Sequence, residues 1–467
     1  MKISYLSNKL EELETAFLEL DFPLLVSQVL SAAPWSRKIA AFFSIMPVLS
    51  VYSTRLRVKY FYDNYISGCQ LMVFVIGGQS TGKGALDFLQ NMLASKLLER
   101  DGAQRAIEND FRLKTKEMSD RAKAKLTPPT IAVMVLPPST SRFQICLRAN
   151  DHYRLYNDTL FFYQTTPELD AITDAYDTKF ADLRTVSRMA YDLNALYGIE
   201  HKNIDGINGF VNINASYLFF GTLNALNTYF NKAALMNGNI SRSIIVGLEH
   251  KIGDEPPVFK DFSDDDMAVI NTVLDKLMNN IFNEADNALH DTVLLDLDFL
   301  RPHVDAFQNV AKNEAVKAQS WAIEDFRKRS SLSAFRIAAI CFNLYNISNE
   351  LLPENERFSQ CQIEENSITI YNYCAYFILN SMLDFYGNRY DKMMKKAGEV
   401  KAATEGHTVP LFDYLPDEFS RQFLAAEIKK IGFTTLDIVF INRWLKQGRI
   451  EDLGDNTYRK IKKVNKL

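Results

Sequence analysis

Leu71-Met72-Val73-Phe74-Val75-Ile76-Gly77-Gly78-Gln79-Ser80-Thr81-Gly82-Lys83-Gly84 decides how the rest of the chain is read. Leu71 to Ile76 is apolar throughout, which predicts a strand buried on both faces. Gly77-x4-Gly82-Lys83 follows at once, and Ala85 to Leu98 reads as a helix. Strand, glycine-rich loop and helix in that order make a phosphate cradle. Glycines let backbone amides turn inward toward an anion, and the helix directs its positive end there. Lys83 reaches the terminal phosphates. On this reading Gly77, Gly78, Gln79, Ser80, Thr81, Gly82, Lys83 and Gly84 hold ATP. Gly84 stands where Ser or Thr ordinarily offers Mg2+ a hydroxyl. Either the metal is held by water and a carboxylate, or hydrolysis is impaired. The competing reading is a glycine-rich turn that binds nothing.

Working outward, four more apolar runs appear. They are Ile131 to Leu136, Thr159 to Tyr163, Tyr217 to Phe220 and Ser243 to Leu248. Helical patterns lie between most of them, which predicts an α/β fold with a largely parallel sheet, a P-loop NTPase core. The run at Thr159 leads into Gln164-Thr165-Thr166-Pro167-Glu168-Leu169-Asp170. There Glu168 suits activation of water or the metal shell, and Asp170 suits the metal side. Pro167-Glu168 equally suits a helix start, where a carboxylate is favourable. Thr222 and Asn224, after the run at Tyr217, suit sensing of a terminal phosphate. Arg242, ahead of the last run, reads as an arginine finger for a neighbouring subunit's nucleotide or as a surface arginine. Arg336 lies in the apolar helical run Phe335 to Ile340, and a buried arginine needs a partner. A nucleotide phosphate and a carboxylate both serve.

Around the core, residues 67–255, the chain reads as helical. Residues 1–66 form an N-terminal helical region, with Leu10, Leu13, Phe17 and Leu20 at helical spacing and breaks at Pro23 and Pro34. Ile39 to Tyr52 reads as a buried helix, too short to span a bilayer. Arg55, Arg57 and Lys59 alternate with apolar residues, as a solvated face or a basic edge for a partner. The charged segment 99–126 reads as an inserted, projecting helical hairpin. Residues 256–395 read as a helical lid, in which Asp264 to Asp266 cap a helix and Ser331 to Tyr345 is buried. Lys392 to Thr408 reads as a linker. Residues 409–467 read as a winged-helix-like module, with a helix from Leu436 to Gln447 capped by Thr434-Thr435 and stopped by Gly448. A hairpin then turns at Gly454-Asp455-Asn456. Arg443, Lys446, Arg449, Arg459 and Lys460, with Lys462 and Lys463, form a basic surface. It suits DNA phosphates, or is a solvated tail on a protein-contact module.

Composition narrows the classes. The 467 residues are 47% hydrophobic and 24% charged, with a net charge of -4. That is ordinary globular composition without a global basic field, so nucleic acid must be met by local patches. Five cysteines are scattered without CxxC pairing, which argues for buried thiols in a reducing compartment and against zinc. The opening residues lack an apolar signal segment, so a cytoplasmic location without membrane attachment is expected.

Four stretches together resemble a family of helicase-like P-loop ATPases from bacterial mobile elements and phages, often accompanying primases, with an AAA+ or RecA-like core. They are Val75 to Gly84, Phe162 to Asp170, Arg188-Met189-Ala190-Tyr191-Asp192 to Tyr197-Gly198, and Leu218 to Thr222 with Ser241-Arg242 following. The likeness covers roughly residues 20 to 390 in motif order. It implies that Glu168, Thr222 and Arg242 act together and that Gly84 is tolerated. The family more often lacks the Thr166-Pro167 step before its acid, and no primase module is visible. The resemblance implies an ATP- and Mg2+-dependent DNA motor working as an oligomer, a hexameric ring among the forms, beside other replication or mobile-element proteins. A nucleotide-dependent switch or loader without unwinding activity is the alternative, and a non-catalytic scaffold a third.

Overall fold

Helices α1 (Ser4–Leu18), α2 (Leu24–Ala32) and α3 (Lys38–Tyr52) open the chain, parted where Pro23 and Pro34 deny a backbone donor. The computed structural model describes residues 4–62, 65–119, 122, 126–175, 183–193, 195–199, 209–249, 251–283, 285, 287–405, 412, 415–431 and 437–461. In α3 every residue from Ala40 to Tyr52 is buried. That explains its lack of a polar face, since a helix covered all round needs none.

β1 (Leu56–Lys59) pairs antiparallel with β2 (Ile66–Ser67), and on its other edge β1 runs parallel to a short strand at Val293–Leu294. Of the basic residues around β1, Lys59 is exposed, but Arg55 and Arg57 turn to internal partners. Arg55 is buried and its guanidinium reaches Asp158 at 2.7 Å and the His290 carbonyl at 2.7 Å. Arg57 donates to the Thr54 and Leu56 carbonyls.

β3 (Met72–Ile76) is buried along its whole length, as its composition requires. After it come α4 (Lys83–Leu93), α5 (Ser95–Thr115), β4 (Val135–Leu136), α6 (Arg142–Tyr156), β5 (Phe161–Thr166), α7 (Leu169–Ala175) and α8 (Leu183–Ala190). Two strands, β6 (Leu196–Ile199) and β7 (Gly209–Asn212), pair antiparallel apart from the main sheet. β8 (Asn214–Gly221), α9 (Leu223–Tyr229), α10 (Lys232–Met236) and β9 (Ile244–Gly247) complete the core. The main sheet is five-stranded and all parallel, in the order β4-β5-β8-β3-β9. α3 packs across β3, β5 and β8.

One expectation changes here. The run Ile131 to Leu136 forms ladder only at Val135–Leu136. Side chains replace the missing ladder. Asp101 on α5 accepts from the Met134 and Val135 amides at 2.9 and 2.6 Å, and Arg100 donates to the Ala132 carbonyl at 2.8 Å. His152 on α6 bonds the Val133 carbonyl at 2.8 Å. The charged segment begins in α5, which these bonds tie to the sheet edge, while residues 120–121 and 123–125, where a hairpin's return arm is expected, lie outside the described residues.

α11 (Asp264–Asn279) starts at Ser263, not at the acidic triplet. Ser263 caps the helix and Asp266 bonds back to it in a capping box. β10 (Val293–Leu294), α12 (Arg301–Ala318), α13 (Trp321–Leu351) and α14 (Gln360–Met382) follow, and α1 packs on α14 through Phe17 and Tyr373, stacked at 4.0 Å. In α13 the stretch Ser330 to Phe342 is wholly buried, as its sequence predicts. A π-helical turn at Leu383–Gly387 leads into α15 (Asn388–Glu405). The expected linker is therefore helical through Glu405, in keeping with its Lys, Met, Ala and Glu content.

The chain divides into two compact units, residues 1–390 and 391–467. In the second, β11 (Glu418–Ser420), α16 (Arg421–Ile431), α17 (Asp437–Lys446), β12 (Ile450–Gly454) and β13 (Thr457–Lys460) surround a core centred on Trp444. The antiparallel sheet has the order β11-β13-β12, and positive φ at Gly454, Asp455 and Asn456 makes the expected hairpin turn. The cap Thr434-Thr435 lies outside the described residues. Gly448 ends α17 with φ +62°.

Among the described residues no helix is long and apolar enough to cross a membrane. Cys69, Cys146, Cys341 and Cys374 are buried, and Cys361 departs from expectation by being exposed.

Candidate functional site

The glycine-rich loop lies at the carboxyl end of β3, between its neighbours β8 and β9. The Gly77 amide donates to the Gly221 carbonyl at 3.0 Å, and the Leu248 amide to the Ile76 carbonyl at 2.7 Å. Ser80 (φ 59°) and Gly82 (φ 89°) take the left-handed conformation that curls the backbone before α4. A Cβ on Gly82 would meet Pro257 at 2.7 Å, and one on Gly77 would meet Thr81 at 2.5 Å. Gly84 differs, since nothing lies within 4 Å of a Cβ there. Its missing hydroxyl reflects sequence choice, not lack of room.

Lys83 folds back over the loop, donating to the Gly77 carbonyl at 2.8 Å and the Gly221 carbonyl at 3.3 Å. Partial burial lowers its pKa, while the Glu168 and Asp170 carboxylates pull the other way. Both acids therefore act electrostatically on the lysine. Each is exposed just past the carboxyl end of β5. With β8 between β5 and β3, this end lies about 10 Å from the loop strand, two strand spacings. Thr166 fixes the turn, its hydroxyl donating to the Glu168 carbonyl at 3.0 Å and accepting from the Glu168 amide at 3.3 Å. Pro167-Glu168 does start a helix, α7, so the local and the electrostatic roles coexist.

Thr222 follows the intervening strand β8. Its hydroxyl accepts from the Ala225 amide at 3.2 Å as the cap of α9, which holds it at the sheet's carboxyl end. Asn224 lies on the exposed first turn of α9. Lys83, Glu168, Asp170, Thr222 and Asn224 thus gather at one end of the parallel sheet, where open α/β sheets bind ligands.

Two arginines lie elsewhere. Arg242 precedes β9 and so sits at the amino end of the sheet. Its guanidinium bonds Asp192 at 2.8 Å and the Gly238 carbonyl at 3.0 Å, with its side chain only 15% exposed. Burial alone would raise the Asp192 pKa, but Arg242 and Arg329 outweigh it and hold the carboxyl below its usual range. In this arrangement Arg242 is an internal tie and is not extended toward a neighbour. Arg336 is 1% exposed, and its partners correct both readings. It donates to the Gln70 carbonyl at 2.8 Å, the Tyr191 carbonyl at 3.0 Å and the Ser67 hydroxyl at 2.7 Å, over the Tyr191 ring. Neither phosphate nor carboxylate is needed. Gln70 precedes β3 and lies seven residues, about 23 Å of extended chain, before the loop, so Arg336 is no nucleotide ligand.

Sequence reading missed Arg37. Buried ahead of α3, it donates to the Thr81 carbonyl at 3.1 Å and the Glu249 carbonyl at 3.0 Å, tying the loop to the segment after β9. Only a lone Arg after Pro34-Trp35-Ser36 marks it in the chain. It also lines a cavity of about 650 Å3 beside the loop, with Ile39, Val246, Glu249, Pro257 and Phe377.

In the second unit, Arg443 and Lys446 are exposed on α17. Arg459 is occupied by Glu418 and Glu451, at 2.7 and 3.1 Å. Lys460 donates to the Leu415 carbonyl at 2.5 Å, and Arg449 lies over the Phe412 ring. These three hold the module together, which shrinks the expected basic surface. Lys462 and Lys463 lie outside the described residues.

Among the described residues no three His, Cys, Asp or Glu side chains gather to hold a metal. Mg2+ bound with a nucleotide needs only one or two carboxylates beside the phosphates and water, and Glu168 and Asp170 meet that requirement. No protein-family model matches the chain, and no curated protein matches it.

Proposed function

We propose that this chain is an Mg2+-dependent ATPase that acts on DNA, a helicase-like motor of oligomeric form. One observation carries the reading. The glycine-rich loop and Lys83 follow an interior strand of a parallel sheet, and Glu168 and Asp170 follow the strand two places away at the same end. Loop amides and the α4 terminus bind the phosphate chain of ATP. Lys83 leaves the Gly77 and Gly221 carbonyls for the terminal phosphates. Glu168 orients water, and Thr222 or Asn224 responds to the terminal phosphate. Glu168 and Asp170 would hold Mg2+, since Gly84 offers no side-chain oxygen, and the ion would neutralise phosphate charge. The second unit, with a winged-helix-like strand order, meets DNA through Arg443 and Lys446.

The internal tie of Arg242 favours one second reading, an ATP-dependent switch that assembles and recruits partners without unwinding. A finger acting in trans must first leave Asp192. The deciding experiment is ATP turnover by the purified chain with and without single-stranded DNA, beside Lys83→Ala and Glu168→Gln. DNA-stimulated turnover lost in both variants supports the motor. Absent turnover with nucleotide still bound refutes the motor and leaves the switch.

A further inference from the structure

At the amino end of the sheet, opposite the phosphate loop, lies a separate cavity of about 510 Å3. The loop after β1 supplies Tyr60 and Tyr62 to its wall, α12 supplies Lys312, and α13 supplies Arg327, Lys328 and Arg329. Among the described residues that line it there is no Asp or Glu. Its volume falls within the range of small-ligand sites, about 300–1,000 Å3.

The four cations differ in how they are held. Arg327 is committed to Glu324 by two bonds and to Gln308 by a third. Lys328 touches Glu324 at 2.9 Å but its side chain remains 59% exposed. Arg329 reaches Asp192 at 3.2 Å. Among the described residues Lys312 has no carboxylate partner, and it is exposed. Tyr60 is buried and fixed by the Ser331 hydroxyl at 2.7 Å. Tyr62 is 57% exposed, and its hydroxyl donates to Asp305 at 2.7 Å, so an open ring is held in place from its tip. Beyond the cavity, the same loop carries Tyr65, 80% exposed, and Arg301 lies 4.4 Å over the Phe61 ring.

A fixed, open aromatic ring beside the exposed Lys312 and Lys328 suits a ligand that joins an aromatic base to a phosphate. Continuation of the aromatic and basic residues past the cavity favours a strand over a free nucleotide. We propose that this cavity binds a single strand of nucleic acid, stacking a base on Tyr62 and taking backbone phosphates on Lys312, Lys328 and Arg329. The biological sense of this site rests on the reading of the chain as DNA-acting, but strand binding is measured without ATP. Failure of the ATPase reading therefore leaves it standing, and the reverse also holds.

The test is anisotropy of a labelled oligo(dT) titrated with full-length protein across a salt series. Tyr62→Ala weakens binding about tenfold, while Tyr62→Phe, which keeps the stacking ring and loses only its tie to Asp305, weakens it less. Lys312→Ala with Lys328→Ala lowers the salt slope by about 1.4, two phosphates' worth for a single strand. Arg443→Ala with Lys446→Ala, in the second unit, serves as the comparison. Far-UV ellipticity and melting confirm that each variant folds. Wild-type binding that only the Arg443 and Lys446 changes reduce overturns the proposal, as does absence of binding. Competition by thymidine monophosphate at concentrations equal to the oligonucleotide overturns the strand in favour of a free nucleotide.

Discussion

Lys83 donates to the Gly77 carbonyl of its own loop and to the Gly221 carbonyl at the end of β8, so its charge is held ready without a phosphate. Replacing it with Ala removes a charge that no neighbour replaces, and ATP turnover is expected to fall about 100-fold or more. Glu168→Gln keeps the shape and loses the charge. It is expected to bind nucleotide normally and to hydrolyse about 100-fold more slowly, read by equilibrium binding beside turnover. Gly84 invites the opposite change. Open space around it means that Gly84→Ser fits without strain, and the added hydroxyl should lower the Mg2+ concentration for half-maximal turnover. An unchanged Mg2+ dependence would exclude direct metal contact from this position. Gly82→Ala meets Pro257 and takes a φ of 89° that Ala resists. A loss of about 1–3 kcal/mol is expected in urea unfolding.

At the scale of elements, the short edge strand β4 depends on side chains from two helices. Burial pushes the Asp101 carboxyl up to about 6 from its ordinary 3.8, although the Val135 and Met134 amides oppose it. Between those values the folded chain keeps a proton that the unfolded chain has released. Its contribution to stability therefore falls as pH rises through that window. His152 works the other way. Burial lowers its pKa from 6.5 to about 4, so there the unfolded chain binds the extra proton and stability rises with pH. The two slopes oppose each other between about pH 4 and 6. Asp101→Asn should leave His152 unopposed, so stability gains up to about 1.4 kcal/mol per pH unit more steeply than in the wild type. Urea unfolding at several pH values in that window checks this, and parallel slopes would refute it. In the second unit, only Arg443 and Lys446 of the five expected contacts stay open on α17. Their joint replacement by Ala should reduce the salt slope of duplex DNA binding by about 1.8, without regard to sequence.

The whole molecule joins a parallel sheet, with the glycine-rich loop at its carboxyl end, to helices whose arginines lie at its far end. Asp192 receives both Arg242 and Arg329, one ahead of β9 and one from the wall of the basic cavity. An oligomer that used Arg242 in trans would have to break the first of these pairs. ATP is therefore expected to drive assembly of Glu168→Gln, which holds nucleotide, and not of Lys83→Ala, as read by sedimentation. A Glu168→Gln protein that stays the same size with and without ATP would refute the oligomeric reading.

The sequence by itself determined what depends on neighbours along the chain. The apolar run before Gly77 became a buried interior strand, and the runs at Thr159, Tyr217 and Ser243 became parallel strands of its sheet. Gly454 to Asn456 turned a hairpin because each of these properties is local in steric or periodic terms. Burial of Arg336 was legible in its apolar helical context, but its partners were not, since carbonyls of Gln70 and Tyr191 come from distant segments. Strand order, and with it the gathering of Glu168 and Thr222 beside Lys83, came only from tertiary structure. So did the loss of Arg459, Lys460 and Arg449 to internal contacts, and the meeting of Tyr62 with Lys312 and Arg329. Side chains far apart in sequence share a site only when packing brings their elements together, and no spacing within the chain records that distance.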